Sequence, residues 1–159
     1  MDLLQEAERL RKVPMFSRLE PAKLKLLAFT SENLSFEDGE VLFLEGDPAD
    51  SAYVIMNGAV EVMMAGPDEE EVVAVTLHRN QLFGEMAVLS NAPRSATIRA
   101  KGELQALRIT DEAFIKLLSD NPDVSLDVMR QLSDKLAASH KQVEDLQQRL
   151  SHLETAEAH

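Results

Sequence analysis

Between residues 33 and 109 the sequence is cut into short apolar runs by turn residues, and this punctuation leaves few folds open. The runs are Val41-Leu-Phe-Leu, Tyr53-Val-Ile-Met, Ala59 to Met64, Val72 to Leu77, and residues 96–100 and 104–109. Turn signals separate them: Asp38-Gly39, Glu45-Gly46-Asp47-Pro48, Asn57-Gly58 and Gly66-Pro67-Asp68. Asn-Gly between apolar runs is the strongest two-residue hairpin signal, so residues 53–56 and 59–64 are expected to pair as a hairpin. About eight short strands at a spacing of ~8–12 residues point to a β-sandwich or a jelly-roll barrel.

Helices flank the strands. Residues 2–12 carry Leu3, Leu4, Ala7 and Leu10 on one stripe, Pro14 ends that helix, and residues 21–29 read as a second. Thr110 or Asp111 caps a helix that Asn121-Pro122 breaks. Residues 123 to about 155 contain no Gly or Pro. With a at 129, 136, 143 and 150 and d at 132, 139, 146 and 153, seven of the eight seam positions are apolar, Ser139 being the exception. That register predicts a parallel coiled coil and a homodimer, with Arg149 at g facing Glu154 at e of the partner. The expected organisation is a mainly β protein with flanking helices (α+β): helical residues 1–30, β residues 31–110 and helical residues 111–159.

The formal net charge is −12 and no basic cluster occurs. Nucleic-acid binding relies on neutralising phosphates, and anionic membrane surfaces attract basic segments, so neither partner is expected. The chain has no cysteine, which removes thiolate metal sites and thiol catalysis. His78, His140, His152 and His159 lack metal-ligand spacing, and no nucleophile elbow or Walker loop occurs. The charged N-terminus lacks a signal-peptide core, and no apolar run approaches the ~20 residues that span a bilayer. The expectation is a cytoplasmic, non-enzymatic protein without metal or cofactor.

One segment carries chemistry. Residues 83–97 read Phe-Gly-Glu-Met-Ala-Val-Leu-Ser-Asn-Ala-Pro-Arg-Ser-Ala-Thr, and they lie between two strand-like runs. Gly84 lets main chain approach a ligand without a Cβ clash. The N–H groups near Met86 and Ala87 would open a short helix and carry positive partial charge. Arg94 offers a planar fork for two phosphate oxygens, and Glu85 an acceptor for a ribose hydroxyl. A cyclic nucleotide makes these two demands close together.

The order Gly39, Gly46, Asp47, Tyr53, Gly58, then Phe83-Gly-Glu-Met-Ala-Val-Leu and Pro93-Arg-Ser-Ala-Thr, resembles the cyclic nucleotide-binding domain family. That family includes the bacterial catabolite activator protein, protein kinase A regulatory subunits and cyclic nucleotide-gated channels. The resemblance covers roughly residues 13–140. It implies an eight-stranded jelly-roll β-barrel that holds cAMP or cGMP in a cassette at residues 83–97, with the final helix closing over the base. Phe83 to Ala87 and Arg94 to Ala96 are then the candidate ligand contacts, and Val62, Val75 and Leu77 match base-facing strand positions. A Ser at 95 is compatible with either nucleotide; cAMP is the expected preference. Lys135 lies where channel relatives place a cationic lid residue, and Ser139 and His140 where the activator reaches adenine across its dimer. Solvated positions for Lys135 and His140, and a register role for Ser139, remain open. The resemblance also admits the sensor half of an activator-type transcription regulator, or a dimerisation scaffold that has lost its ligand. A downstream protein partner is expected and is not identified by the residues.

Overall fold

Two long strands carry the sheet: β3 (Ser51–Ala65) and β6 (Thr97–Thr110). The computed structural model describes residues 2–66, 68 and 70–157, without the side chains of residues 135, 139 and 155–157. Four shorter strands join the pair: β1 (Glu32–Phe36) and β2 (Val41–Phe43) lie against β6, β4 (Glu71–Leu77) and β5 (Leu82–Phe83) against β3. Every ladder is antiparallel.

The hairpin expected at Asn57-Gly58 does not form. β3 runs straight through it, and its ladder with β6 shifts register on both sides of Asn57. Gly58 holds φ at +95°, and a Cβ there would sit 2.3 Å from the Glu103 carbonyl oxygen. The glycine therefore serves close approach of two strands at a bulge rather than a reversal of the chain. Residues 96–100 and 104–109 likewise fuse into β6 through Gly102, whose φ is +72°. Among the described residues, the roughly eight expected strands become six for this reason. The ladder, in the order β1-β6-β3-β4, does not close into a barrel.

Alternation along the long strands builds the core. Tyr53, Ile55 and Val60 of β3, Ile98, Ala100, Leu104 and Ala106 of β6, and Phe83 form one buried cluster. Leu34, Phe36, Leu42, Phe43, Val62 and Leu77 pack around it. Removing such side chains from water stabilises the fold by roughly 1.5–3 kcal/mol each when burial is complete.

Helix α1 (Leu3–Arg11) starts at Asp2, which forms a capping box with Gln5. Its buried face is Glu6, Ala7 and Leu10, while Leu3 and Leu4 are exposed, against the stripe expected. Polar contacts fix the rotation instead: Asn33 donates to Glu6, and Arg9 donates to the Met56 carbonyl at 2.7 Å. A 3-10 turn (Pro14–Phe16) leads to α2 (Pro21–Thr30). Helix α3 (Glu85–Ser90) follows β5, and α4 (Asp111–Asp120) follows β6. Thr110 caps α4, its hydroxyl accepting from the Ala113 amide at 3.2 Å.

The chain separates into two compact units between Asn121 and Pro122. The second is the helix α5 (Pro122–Glu157), 36 residues long. Pro122 opens it, where a missing N–H costs nothing. Met129, Leu136, Val143, Leu146, Leu150 and Leu153 are 51–71% exposed along it. Among the described residues no helix is long and apolar enough to cross a membrane.

Candidate functional site

Strand β5 ends at Phe83, which pairs with Tyr53 of β3 and stacks on its ring at 5.3 Å and 9°. Gly84 then takes a left-handed conformation, φ +79°, and turns the chain into α3. A Cβ on Gly84 would lie 2.7 Å from Arg94 Nη1, so the absent side chain leaves room for the guanidinium. Glu85 is the first residue of α3 and half-buried, an acid where the helix dipole favours one. Met86 is exposed and Ala87 half-buried. The helix ends at Asn91, itself left-handed at φ +51°.

Arg94 is held from both its main chain and its side chain. Its N–H donates to the Asp47 carbonyl at 2.8 Å, and its carbonyl accepts from the Gly46 amide at 2.8 Å. The turn at residues 44–47 is locked by the Leu44 amide donating to the Asp47 carboxylate at 2.9 Å. Arg94 is 3% exposed. Nη1 donates to the Gly84 carbonyl at 2.8 Å and Nη2 to the Ser51 carbonyl at 2.6 Å. Cζ lies 4.0 Å from the centroid of the Phe43 ring. Among the described residues, Nε is buried and has no hydrogen-bond partner. The sequence suggests a fork for two phosphate oxygens; in the structure both Nη groups donate to main-chain carbonyls.

Charges extend the cluster along β6. Asp50 lies 3.8 Å from Arg94 Nη2 and 3.0 Å from Arg108 Nη2, and Arg108 Nη1 reaches Glu32 at 3.2 Å. Burial lowers the Arg94 guanidinium below its ordinary range, with Tyr53 and Asp50 acting against that shift. Burial would also lower Arg108, but Asp50, Tyr53 and Glu32 hold it above its usual value. For Asp50 burial acts to raise the carboxyl, and the Ser51 hydroxyl and Arg108 outweigh it, leaving it depressed.

The structure thus brings Phe83, Gly84 and Arg94 together. Ser95 is exposed and Ala96 half-buried beside them in sequence. Val62 faces Val75 across the β3–β4 ladder, and Leu77 faces Val60. Val62 and Leu77 pack against the core cluster that includes Phe83, whereas Val75 is 48% exposed. The side chains of Lys135 and Ser139 lie outside the described residues. Sequence reasoning missed Phe43, Asp50, Ser51 and Arg108. They converge only through strand pairing, β2 with β6, in which Phe43 faces Ile98, and β3 with β6, in which Tyr53 faces Arg108; no local motif marks them.

The sequence model of the cyclic nucleotide-binding domain matches residues 33–121. The chain belongs to the cyclic nucleotide-binding domain family. Among curated relatives of this domain, a cAMP-dependent protein kinase regulatory subunit of Blastocladiella emersonii is 38% identical over 115 residues. That match covers 72% of this chain and 28% of the relative. A CRP-like cAMP-activated global transcriptional regulator of Mycobacterium tuberculosis is 26% identical over 139 residues, covering 87% of this chain and 62% of the relative. The chain therefore spans less than two thirds of either relative. Among solved structures, the sensor domain of the transcriptional regulator DNR from Pseudomonas aeruginosa aligns with a TM-score of 0.78 at 24% identity. It covers 84% of this chain and 90% of that one, and it shares the fold. By their names, these relatives of the cyclic nucleotide-binding domain are regulatory proteins.

Proposed function

We propose that this domain is a non-catalytic receptor for a cyclic nucleotide, preferring cAMP to cGMP, and that it signals by moving its C-terminal helices. The observation that carries the proposal is the Arg94 guanidinium, buried beside Gly84 with its Nε lacking a partner. An unsatisfied buried donor costs about 1–3 kcal/mol, more for a charged group. A phosphate oxygen would remove that cost, and Nε with an adjacent Nη makes a fork that grips two oxygens. Nε has almost no accessible surface, so a phosphate can reach it only if the cassette moves. Binding is then coupled to rearrangement of residues 83–95, which is what a signalling module requires.

Glu85 would accept from the ribose 2′-hydroxyl, a bond of ~1.5–3 kcal/mol to a charged acceptor. The preference for cAMP rests on the small Ser95 and on the two curated relatives, whose names both carry cAMP. The exposed stripe on α5 supports a homodimer through a parallel coiled coil. A second reading, the sensor half of a longer transcription regulator, is favoured by the mycobacterial match over 87% of this chain.

Calorimetric titration of the wild-type chain and of Arg94→Ala with cAMP, cGMP and 2′-deoxy-cAMP tests the proposal. The expected order of affinity is cAMP, cGMP, then the deoxy analogue, with Arg94→Ala raising the Kd for cAMP at least tenfold (about 1.4 kcal/mol). Unchanged binding by Arg94→Ala refutes the phosphate role, and tighter cGMP binding refutes the preference.

A further inference from the structure

We propose that Phe43 is a positioning residue for ligand capture: its ring face fixes the plane of the Arg94 guanidinium and so aims the Nε edge at the incoming anion. The inference rests on the receptor reading above and names a part of that site that lies outside residues 83–97.

The geometry is a problem in degrees of freedom. Two hydrogen bonds, Nη1 to the Gly84 carbonyl and Nη2 to the Ser51 carbonyl, hold one edge of the guanidinium. Two bonds along one edge still allow the plane to tilt about the line that joins the acceptors. A third restraint on the face removes that tilt, and the Phe43 ring, 4.0 Å from Cζ, supplies it. A cation over an aromatic face is attracted by the ring quadrupole, most strongly where water is excluded. Arg94 is such a case, being almost wholly buried.

The ring is itself braced. Phe43 meets Tyr53 at 5.9 Å and Phe83 at 6.3 Å, and those two stack on each other. Tyr53 and Phe83 are buried cross-strand partners in β3 and β5. Phe83 immediately precedes Gly84, whose carbonyl receives Nη1. The aromatic trio therefore ties the ring below the arginine to the carbonyl beside it. Any displacement of Gly84 as the cassette moves is passed to the guanidinium through both contacts. Phe43 does not touch the phosphate in this account; it acts through Arg94.

Three variants in the full-length chain separate this role from plain packing. Phe43→Leu keeps an apolar side chain in β2 but lacks the quadrupole, and is expected to weaken cAMP binding roughly tenfold. Phe43→Tyr keeps the ring and should bind within about twofold of wild type. In an Arg94→Gln background, which removes the cation, adding Phe43→Leu should change the Kd by less than about twofold. A second readout needs no nucleotide: the Nε proton resonance of Arg94 should be displaced by the ring current in wild type and in Phe43→Tyr, and return toward its solvent position in Phe43→Leu.

Wild-type affinity in Phe43→Leu, or equal loss in the leucine and tyrosine variants, or a full additional loss in the Arg94→Gln background, overturns the positioning role and leaves the receptor reading standing. If the wild-type protein binds neither cAMP nor cGMP, the receptor reading falls and this role with it. An Arg94 Nε resonance indifferent to residue 43 overturns the role whatever the affinities.

Discussion

Arg94 and helix α5 stand at opposite extremes in how their side chains are satisfied. The arginine is a cation whose contacts come from main-chain carbonyls, one ring and one carboxylate, all within its own compact unit. The helix carries apolar residues at coiled-coil spacing that are more than half exposed. In each case residue type misleads if taken alone: the charged group is inside and the leucines are outside. Burial depends on what the surrounding chain offers. A guanidinium can be buried where carbonyls and a ring face replace water, and a leucine stripe stays in water until a second surface covers it.

The contrast is open to direct attack. The largest expected effect concerns the helix. For the dimer proposed above, Leu146→Glu with Leu150→Glu should abolish self-association in sedimentation velocity, since placing two carboxylates in the proposed apolar seam costs roughly 3 kcal/mol or more. Thermal unfolding of the sheet unit should be nearly unchanged, and a dimer that persists would remove the stripe as its interface. Next is Gly58→Ala, which drives a Cβ to 2.3 Å from the Glu103 carbonyl at φ +95°. Urea titration should show a loss of about 3 kcal/mol, because neither strand of the central pair can yield cheaply.

Gly84→Ala should be milder. Its Cβ meets the end of a flexible side chain, Arg94 Nη1, so the φ of +79° supplies most of the penalty. A loss of about 1–2 kcal/mol in stability is expected, with several-fold weaker cAMP binding as the guanidinium is pushed aside. The smallest effect concerns Asp50, an exposed carboxylate between two arginines. Its folded value lies below its unfolded one, so its contribution is full above about pH 4 and is lost as pH falls through the folded value. Asp50→Asn should flatten the acid limb of the stability curve, by less than about 1 kcal/mol given solvent screening. An acid limb unchanged by the substitution would assign it to other carboxylates.

Much of the fold is legible in the order of residues. The starts of α1, α4 and α5 follow from Asp2, Thr110 and Pro122, because capping is a matter of a few adjacent groups. The cassette helix begins after Gly84 as its residues suggest. What misled was the same chemistry in a different context. Asn57-Gly58 has the composition of a hairpin turn, but a left-handed glycine serves a bulge equally well, and only the facing strand selects between them. Leu4 has the spacing of a buried residue, yet Glu6 and Arg9 set the rotation of α1 through partners about 27 and 47 positions away.

The candidate site divides along the same line. Gly84, Glu85 and Arg94 fall within a stretch short enough to be read as one unit, and residue type and order there identify the family. Phe43, Asp50, Ser51 and Arg108 reach Arg94 or its neighbours from three strands or the turns beside them, and the antiparallel pairing of β6 with β2 and β3 aligns them. By itself, then, the sequence determined the helix caps and the charged residues of the cassette, since these depend on neighbours a few bonds apart. Only the tertiary structure decided which way the arginine points and what it rests on. Apart from the bond to the Gly84 carbonyl, those contacts join residues more than forty positions apart, and their energy exists only once the strands have paired.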